Sequence, residues 1–151
     1  MQDVDYPPVA FSFKVVFAAT AGKFDTSFQE VSGMKATIDT ESYTELGENG
    51  FVHQLPKPVT YSPLLLKRGI ASMTSPLVLW CRSIFESEGR IPIVPMPIMV
   101  YLIDEKKMPK RAWALTGAFP VSWDVGSFNA EESKVAIETI ELRYNYLTRM
   151  L

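Results

Sequence analysis

The chain offers few side chains that could do chemistry. His53 is its one histidine and Cys81 its one cysteine. A thiol and an imidazole brought together would make an activated nucleophile. The plainer reading is that Cys81, inside an apolar pattern, is a small buried hydrophobe and His53 a surface or interface residue. A zinc site needs three or four Cys, His or carboxylate ligands at suitable spacing, and this sequence has no such set. Carboxylates cluster at Glu41, Glu45 and Glu48, at Asp104 and Glu105, and at Glu131 and Glu132. Glycoside hydrolysis uses two carboxylates, so a pair could be catalytic. The plainer reading is a solvated acidic loop and two turns. Glu138 and Glu141 fall on opposite faces of a strand pattern and do not converge. Neither a phosphate-cradling P-loop nor a GxGxxG fingerprint occurs. The residue types point away from catalysis, and no cofactor or metal is expected.

The elements that would position these residues are mostly strands. Phe11, Phe13, Val15 and Phe17 alternate with Ser12, Lys14 and Val16, the period of a half-buried strand. Tyr6-Pro7-Pro8 before it reads as an extended arm, because proline cannot donate to a ladder. A turn follows around Gly22. Further strands are expected over residues 28–31, 34–43, 59–68, 98–103, 112–119, 121–125 and 135–146. In the last of these the alternation slips between Val135/Ile137 and Ile140/Leu142/Tyr144, which predicts a bulge or burial on both faces. One helix is expected over residues 75–89, with Ser75 as N-cap and Pro76 in the first position. Its apolar face would carry Leu77, Trp80, Cys81, Ile84 and Phe85, with Leu79 on the far side. The fold class is mainly β, a sandwich or barrel of about seven antiparallel strands with one packed helix. Edge strands of such a fold need covering or pairing.

Residues 39–63 stand apart. Glu41, Glu45, Glu48, Asn49 and several glycines and prolines interleave with Tyr43, Leu46, Phe51, Val52, Leu55 and Tyr61. This predicts an extended loop or hairpin that packs on something, either its own domain or another chain.

Composition sets outer bounds. The 151 residues suit one domain spanning the chain, and 47% hydrophobic content predicts a filled core. A formal charge of -2 with scattered basic residues gives no footprint for nucleic acid. The aromatic residues do not form a base-stacking platform. A single cysteine excludes an intrachain disulfide and fits synthesis in a bacterial cytoplasm. The acidic start does not resemble a secretory signal. The apolar run over residues 91–103 is broken by Pro92, Pro95 and Pro97, so no membrane insertion is expected.

Several segments together resemble a known family. Phe28-Gln29-Glu30-Val31-Ser32-Gly33 resembles the FxxVSG signature of contractile-tail tube proteins. Gly47-Glu48-Asn49-Gly50-Phe51-Val52-His53-Gln54-Leu55-Pro56 is similar to the loop that follows it. Leu66-Lys67-Arg68-Gly69 is similar to the family's LKRG turn. Ser75-Pro76-Leu77 with Trp80-Cys81 matches its helix, and Ala118-Phe119-Pro120-Val121-Ser122-Trp123 its next strand. Asn129-Ala130 with Val135-Ala136-Ile137-Glu138-Thr139-Ile140-Glu141-Leu142 resembles its closing strand. The matches keep the family's order and span nearly the whole chain.

The family comprises tube proteins of contractile phage tails and of extracellular contractile injection systems, similar in fold to the type VI secretion tube. The resemblance implies a barrel-like subunit that forms homohexameric rings stacked into a hollow tube inside a sheath. Its implied partners are itself, sheath protein, the baseplate and spike hub, other tube proteins and cargo in the lumen. Candidate inter-subunit contacts are Glu41, Tyr43, Glu45, Leu46, Glu48, Asn49, Phe51, His53 and Leu55. Faces carrying Lys35, Thr37 and Asp39, or Thr139, Glu141 and Arg143, are candidate lumen linings. The Tyr6-Pro7-Pro8 start, Trp123 and Tyr144-Asn145-Tyr146 look more like the baseplate-proximal tube initiator than the main tube protein. Two other readings are a monomeric β-barrel binding a small apolar ligand and a hydrolase using the acidic loop.

Overall fold

A computed structural model describes residues 11–17, 24–44, 47, 50, 52–69, 75–126 and 136–151. Nine strands and one helix appear among them. They are β1 (Ser12–Phe17), β2 (Phe24–Ser32), β3 (Ala36–Tyr43), β4 (His53–Tyr61), β5 (Leu64–Gly69), α1 (Pro76–Phe85), β6 (Met96–Ile103), β7 (Pro109–Val125), β8 (Ile137–Arg143) and β9 (Tyr146–Arg149). All pairings are antiparallel.

Seven strands run in the order β6-β1-β2-β5-β8-β7-β9, and β6 also pairs with β7. That extra pairing closes β6, β1, β2, β5, β8 and β7 into a six-stranded barrel. The expectation that the sheet edges need a neighbouring chain is thereby narrowed, since closure removes the barrel's edges within one chain. β8 and β9 share one flank of β7, separated by Tyr144 and Asn145. Register shifts in β1–β2, β2–β5, β6–β7 and β7–β8 supply the bends a small barrel needs. Pro120 falls at the β7–β8 shift, where a missing N–H is tolerated.

A barrel this narrow is filled by side chains. Val15, Phe17, Leu64, Leu66, Ile98, Val100, Leu115, Ile140 and Leu142 occupy the core. Leu77 and Cys81 of α1 join it, and Trp80 meets Phe17 edge-on at 5.7 Å. Val78 is buried as well, whereas Phe85 sits at the rim, stacked at 6.4 Å on Trp123. Leu79 is exposed, as its far-side position predicts.

Three expectations change. The two strands expected over 112–119 and 121–125 are one long strand, β7. The strand expected over 59–68 is two, β4 and β5, divided at Ser62 and Pro63. The slip near the C-terminus is no bulge: β8 pairs with β5 without interruption from Leu142 to Ile137. Ile137 faces outward, and the inward position beside it is taken by Glu138. The turns expected around Gly22 and over 129–133 lie outside the described residues, as does the Tyr6-Pro7-Pro8 arm.

Candidate assembly surface: a projecting hairpin and its anchorage

The segment expected as an extended loop or hairpin is a two-stranded sheet of its own, β3 with β4. It leaves the barrel after β2 and returns at β5. At its root Gly33 adopts φ 89°, and a Cβ there would stand 1.8 Å from the Pro63 carbonyl oxygen. Only glycine lets the outgoing and returning legs pass so closely. Lys35 N donates to Gly33 O (2.8 Å) and Ser62 N to Lys35 O (3.0 Å). Tyr144 packs on Tyr61 with ring centroids 5.7 Å apart and donates its hydroxyl to Gly33 O at 3.3 Å. Burial pushes the Tyr144 phenol above its ordinary pKa, so it stays a donor.

Outward from Tyr61 the hairpin is largely exposed. Ile38 is 56% exposed, Leu55 48%, Tyr43 48% and Val59 45%. Ile38 stands opposite Val59, Glu41 opposite Leu55 and Tyr43 opposite His53, with the last two rings 6.4 Å apart. Glu41, Tyr43, His53 and Leu55 are thus gathered near the far end of one projecting hairpin. Glu45, Leu46, Glu48, Asn49 and Phe51 lie outside the described residues.

The strands carrying the hairpin are fixed at their opposite ends by a buried polar network. Arg68 Nη1 donates to Asp25 Oδ1 at 2.7 Å, and Arg68 Nη2 to Ser75 Oγ at 2.7 Å. Ser75 Oγ donates in turn to Asp25 Oδ1. Asp25 Oδ2 accepts from Leu77 N at 2.8 Å, and Ser75 Oγ from Val78 N at 3.3 Å. Two free N–H groups at the start of α1 are satisfied this way, and a carboxylate sits at the helix's positive end. The Arg68 guanidinium stacks 4.8 Å over Phe28. Across the next strand, Trp123 Nε1 donates to Glu138 Oε1 at 2.6 Å. Asp25, Arg68, Ser75 and Glu138 are all buried. One cluster therefore locks β2, β5, β7, β8 and α1 together.

Sequence reading missed this network, though a signal was present. Arg68 shares its parity with Leu64 and Leu66, and Glu138 with Ile140 and Leu142. Opposite charges at inward positions of two strands predict a buried pair.

Among the described residues, the thiol and the imidazole are not brought together. Cys81 is buried on α1, while His53 stands on the hairpin. Burial, with a smaller push from the Glu138 carboxylate, raises the Cys81 thiol to about 12, the opposite of nucleophile activation. Asp104 serves its own turn, accepting from Lys106 N and Met108 N at 2.9 Å each. Those bonds, Met108's foremost, hold its carboxyl below the ordinary range. Glu141 faces out from β8 while Glu138 faces in. Glu131 and Glu132 lie outside the described residues. Among the described residues no cluster of three His, Cys, Asp or Glu is placed to hold a metal, and no helix is long and apolar enough to cross a membrane.

A closed barrel, one capped helix and a projecting hairpin make up this arrangement. The model of the T4-like virus tail tube protein gp19 family matches residues 9–148. The chain belongs to the tail tube family. Solved structures agree in fold. A chain of the anti-feeding prophage baseplate, in a 6-fold symmetrised cryo-EM structure, is 29% identical, with a TM-score of 0.75 and 96% of each chain covered. A chain of an extracellular contractile injection system, the PVC sheath-tube complex in its extended state, is 22% identical at TM-score 0.75, covering 97% of this chain and 93% of its own. Hcp1 from Salmonella typhimurium is 15% identical at TM-score 0.53, covering 93% of this chain and 85% of its own. Among curated proteins none matches. The family is one of structural tube proteins of contractile tails and injection systems.

Proposed function

We propose that this tail tube protein is an inner-tube subunit that closes into rings of six and stacks within a contractile sheath. The hairpin β3–β4 carries the reading. Among the described residues it pairs only with itself, and it leaves Ile38, Tyr43, Leu55 and Val59 exposed. Apolar side chains on a projecting arm are an interaction surface awaiting a partner. A copy of the same chain is the natural partner, since repeated contact between unlike surfaces closes a ring. The likeness to a chain in a six-fold baseplate supports six copies. The same likeness supports a position at the baseplate end, the tube initiator. The subunit works by passive assembly, without catalysis, beside sheath, spike hub and other tube proteins. It is made in the cytoplasm and works in the particle. Glu45, Leu46, Glu48, Asn49 and Phe51 complete the contact surface begun by Glu41, Tyr43, His53 and Leu55.

The test is the mass and shape of the purified chain. Mass photometry should show particles near six times the 17.0 kDa chain, and negative-stain images six-fold rings. A monodisperse monomer at high concentration, with sheath and baseplate partners present, overturns the reading. Labelling the chain within whole particles separates the two positions: initiator at one end only, main tube along the length.

A further inference from the structure

The outward face of β1, β2 and β6 carries a groove. Its lining includes Lys14, Phe24, Ile103, Lys107 and Pro109. Lys14 Nζ lies 4.1 Å over the Phe24 ring. The groove continues past the β6–β7 turn, where Lys106 and Lys110 join it with Asp104 and Glu105. Among the described residues, four lysines against two carboxylates leave two positive charges. Asp104 is turned to its own neighbours, accepting two turn N–H groups and lying 3.5 Å from Lys110 Nζ. An apolar floor with a cationic rim suits a peptide segment that carries both acids and apolar side chains.

The chain itself contains such a segment. On β3, exposed Asp39, Glu41 and Tyr43 share one side, and Leu55 stands opposite Glu41. From residue 39 to residue 50 the sequence has four carboxylates and no lysine or arginine.

Topology decides which copy's hairpin fits. In the six-strand ring β1 is three strands from β8 in either direction, so the two lie on opposite flanks. The groove lies over β1. The root of the hairpin leans on the β8–β9 link, where Tyr61 packs on Tyr144 and Pro58 and Val59 share a cleft with Asn145 and Tyr146. The arm starts at Gly33, at the far end of β2 from Phe24, and leans on the β8–β9 link. Arm and socket are therefore separate surfaces, and their contact between copies is heterologous and repeats around a ring or along a stack.

We propose that the Lys14–Lys107 groove is the socket for the acidic hairpin of a neighbouring copy, with the two lysines facing Asp39 and Glu41. This rests on the assembly reading above. Two full-length charge-reversed proteins test it: one with Lys14→Glu and Lys107→Glu, the other with Asp39→Lys and Glu41→Lys. Both should keep the wild-type circular dichroism spectrum. Each alone should lose assembly by tenfold or more at a fixed concentration, because like charges now meet. An equimolar mixture should recover it, since each reversed arm meets a reversed socket. A groove variant that assembles like wild type, or a mixture of folded variants that stays dispersed, overturns the socket and leaves the assembly reading standing. Wild-type protein that remains monomeric overturns both.

Discussion

Arg68 and Glu138 stand directly opposite one another in the β5–β8 ladder, with Arg68 Nε 3.6 Å from Glu138 Oε2. Both atoms are buried, and among the described residues neither has a hydrogen bond of its own. The guanidinium therefore sits between two buried carboxylates, bonded to Asp25 and held near Glu138 by charge alone. Removing one member of a buried ionic group strands the others. Arg68→Met should destabilise the fold by about 3–5 kcal/mol in a urea titration. Glu138→Gln should cost less, because its side-chain oxygen still accepts from Trp123. An unchanged midpoint for Arg68→Met would show that the network contributes nothing to stability.

Gly33 and Gly47 form a natural contrast. Both have positive φ, at 89° and 100°, but a Cβ at Gly47 meets nothing within 4 Å. Gly33→Ala adds a collision with the Pro63 carbonyl to the backbone strain. It should cost more than ~1 kcal/mol, and more than Gly47→Ala. Thermal unfolding of the two variants checks the order.

Cys81 gives a pH prediction. Its thiol titrates near 9.0 when unfolded and near 12 when folded. Between those values the folded chain keeps a proton that the unfolded chain has lost. Stability is therefore full below pH 9 and falls as pH rises towards 12. Cys81→Ala should flatten that alkaline slope. The native thiol should also resist iodoacetamide at pH 8 and react once urea unfolds the chain. Rapid labelling of folded protein would contradict its burial.

The hairpin's exposed residues should matter to assembly and not to folding. Ile38→Ser with Val59→Ser should move unfolding by only about 0.5 kcal/mol, as surface substitutions do. Ring formation should fall sharply at the same concentration. A variant that loses stability but still assembles would place these residues in the core of the subunit and not at its partner-facing side.

How much of this was legible beforehand depended on period. β1 and α1 follow their residue patterns closely, because alternating phenylalanines and a capped apolar face leave one reading. β4 was not visible as a strand. Pro56 and Pro58 interrupt it and nearly all its side chains are exposed, so no buried face marks its register. The division between β4 and β5 was hidden because Tyr61, Leu64 and Leu66 read as one apolar run. Composition set the acidic segment apart from the rest of the chain, and the structure places Glu41, Tyr43, His53 and Leu55 on one arm. The buried network joins residues far apart in the chain, with Arg68 in a segment that reads like a turn and Glu138 beside no basic neighbour. Their meaning lies in a pairing 70 residues apart, which local sequence does not display.

Closure of β6 onto β7 has a consequence for supply and timing. The barrel's ladder closes within one chain, so on the proposed assembly folding would not wait on polymerisation. Finished subunits can be stockpiled in solution at concentrations below the threshold for growth. On the assembly proposed above, that threshold would be set by the contact between copies, and a nucleating template, not the folding reaction, would decide when and where growth begins.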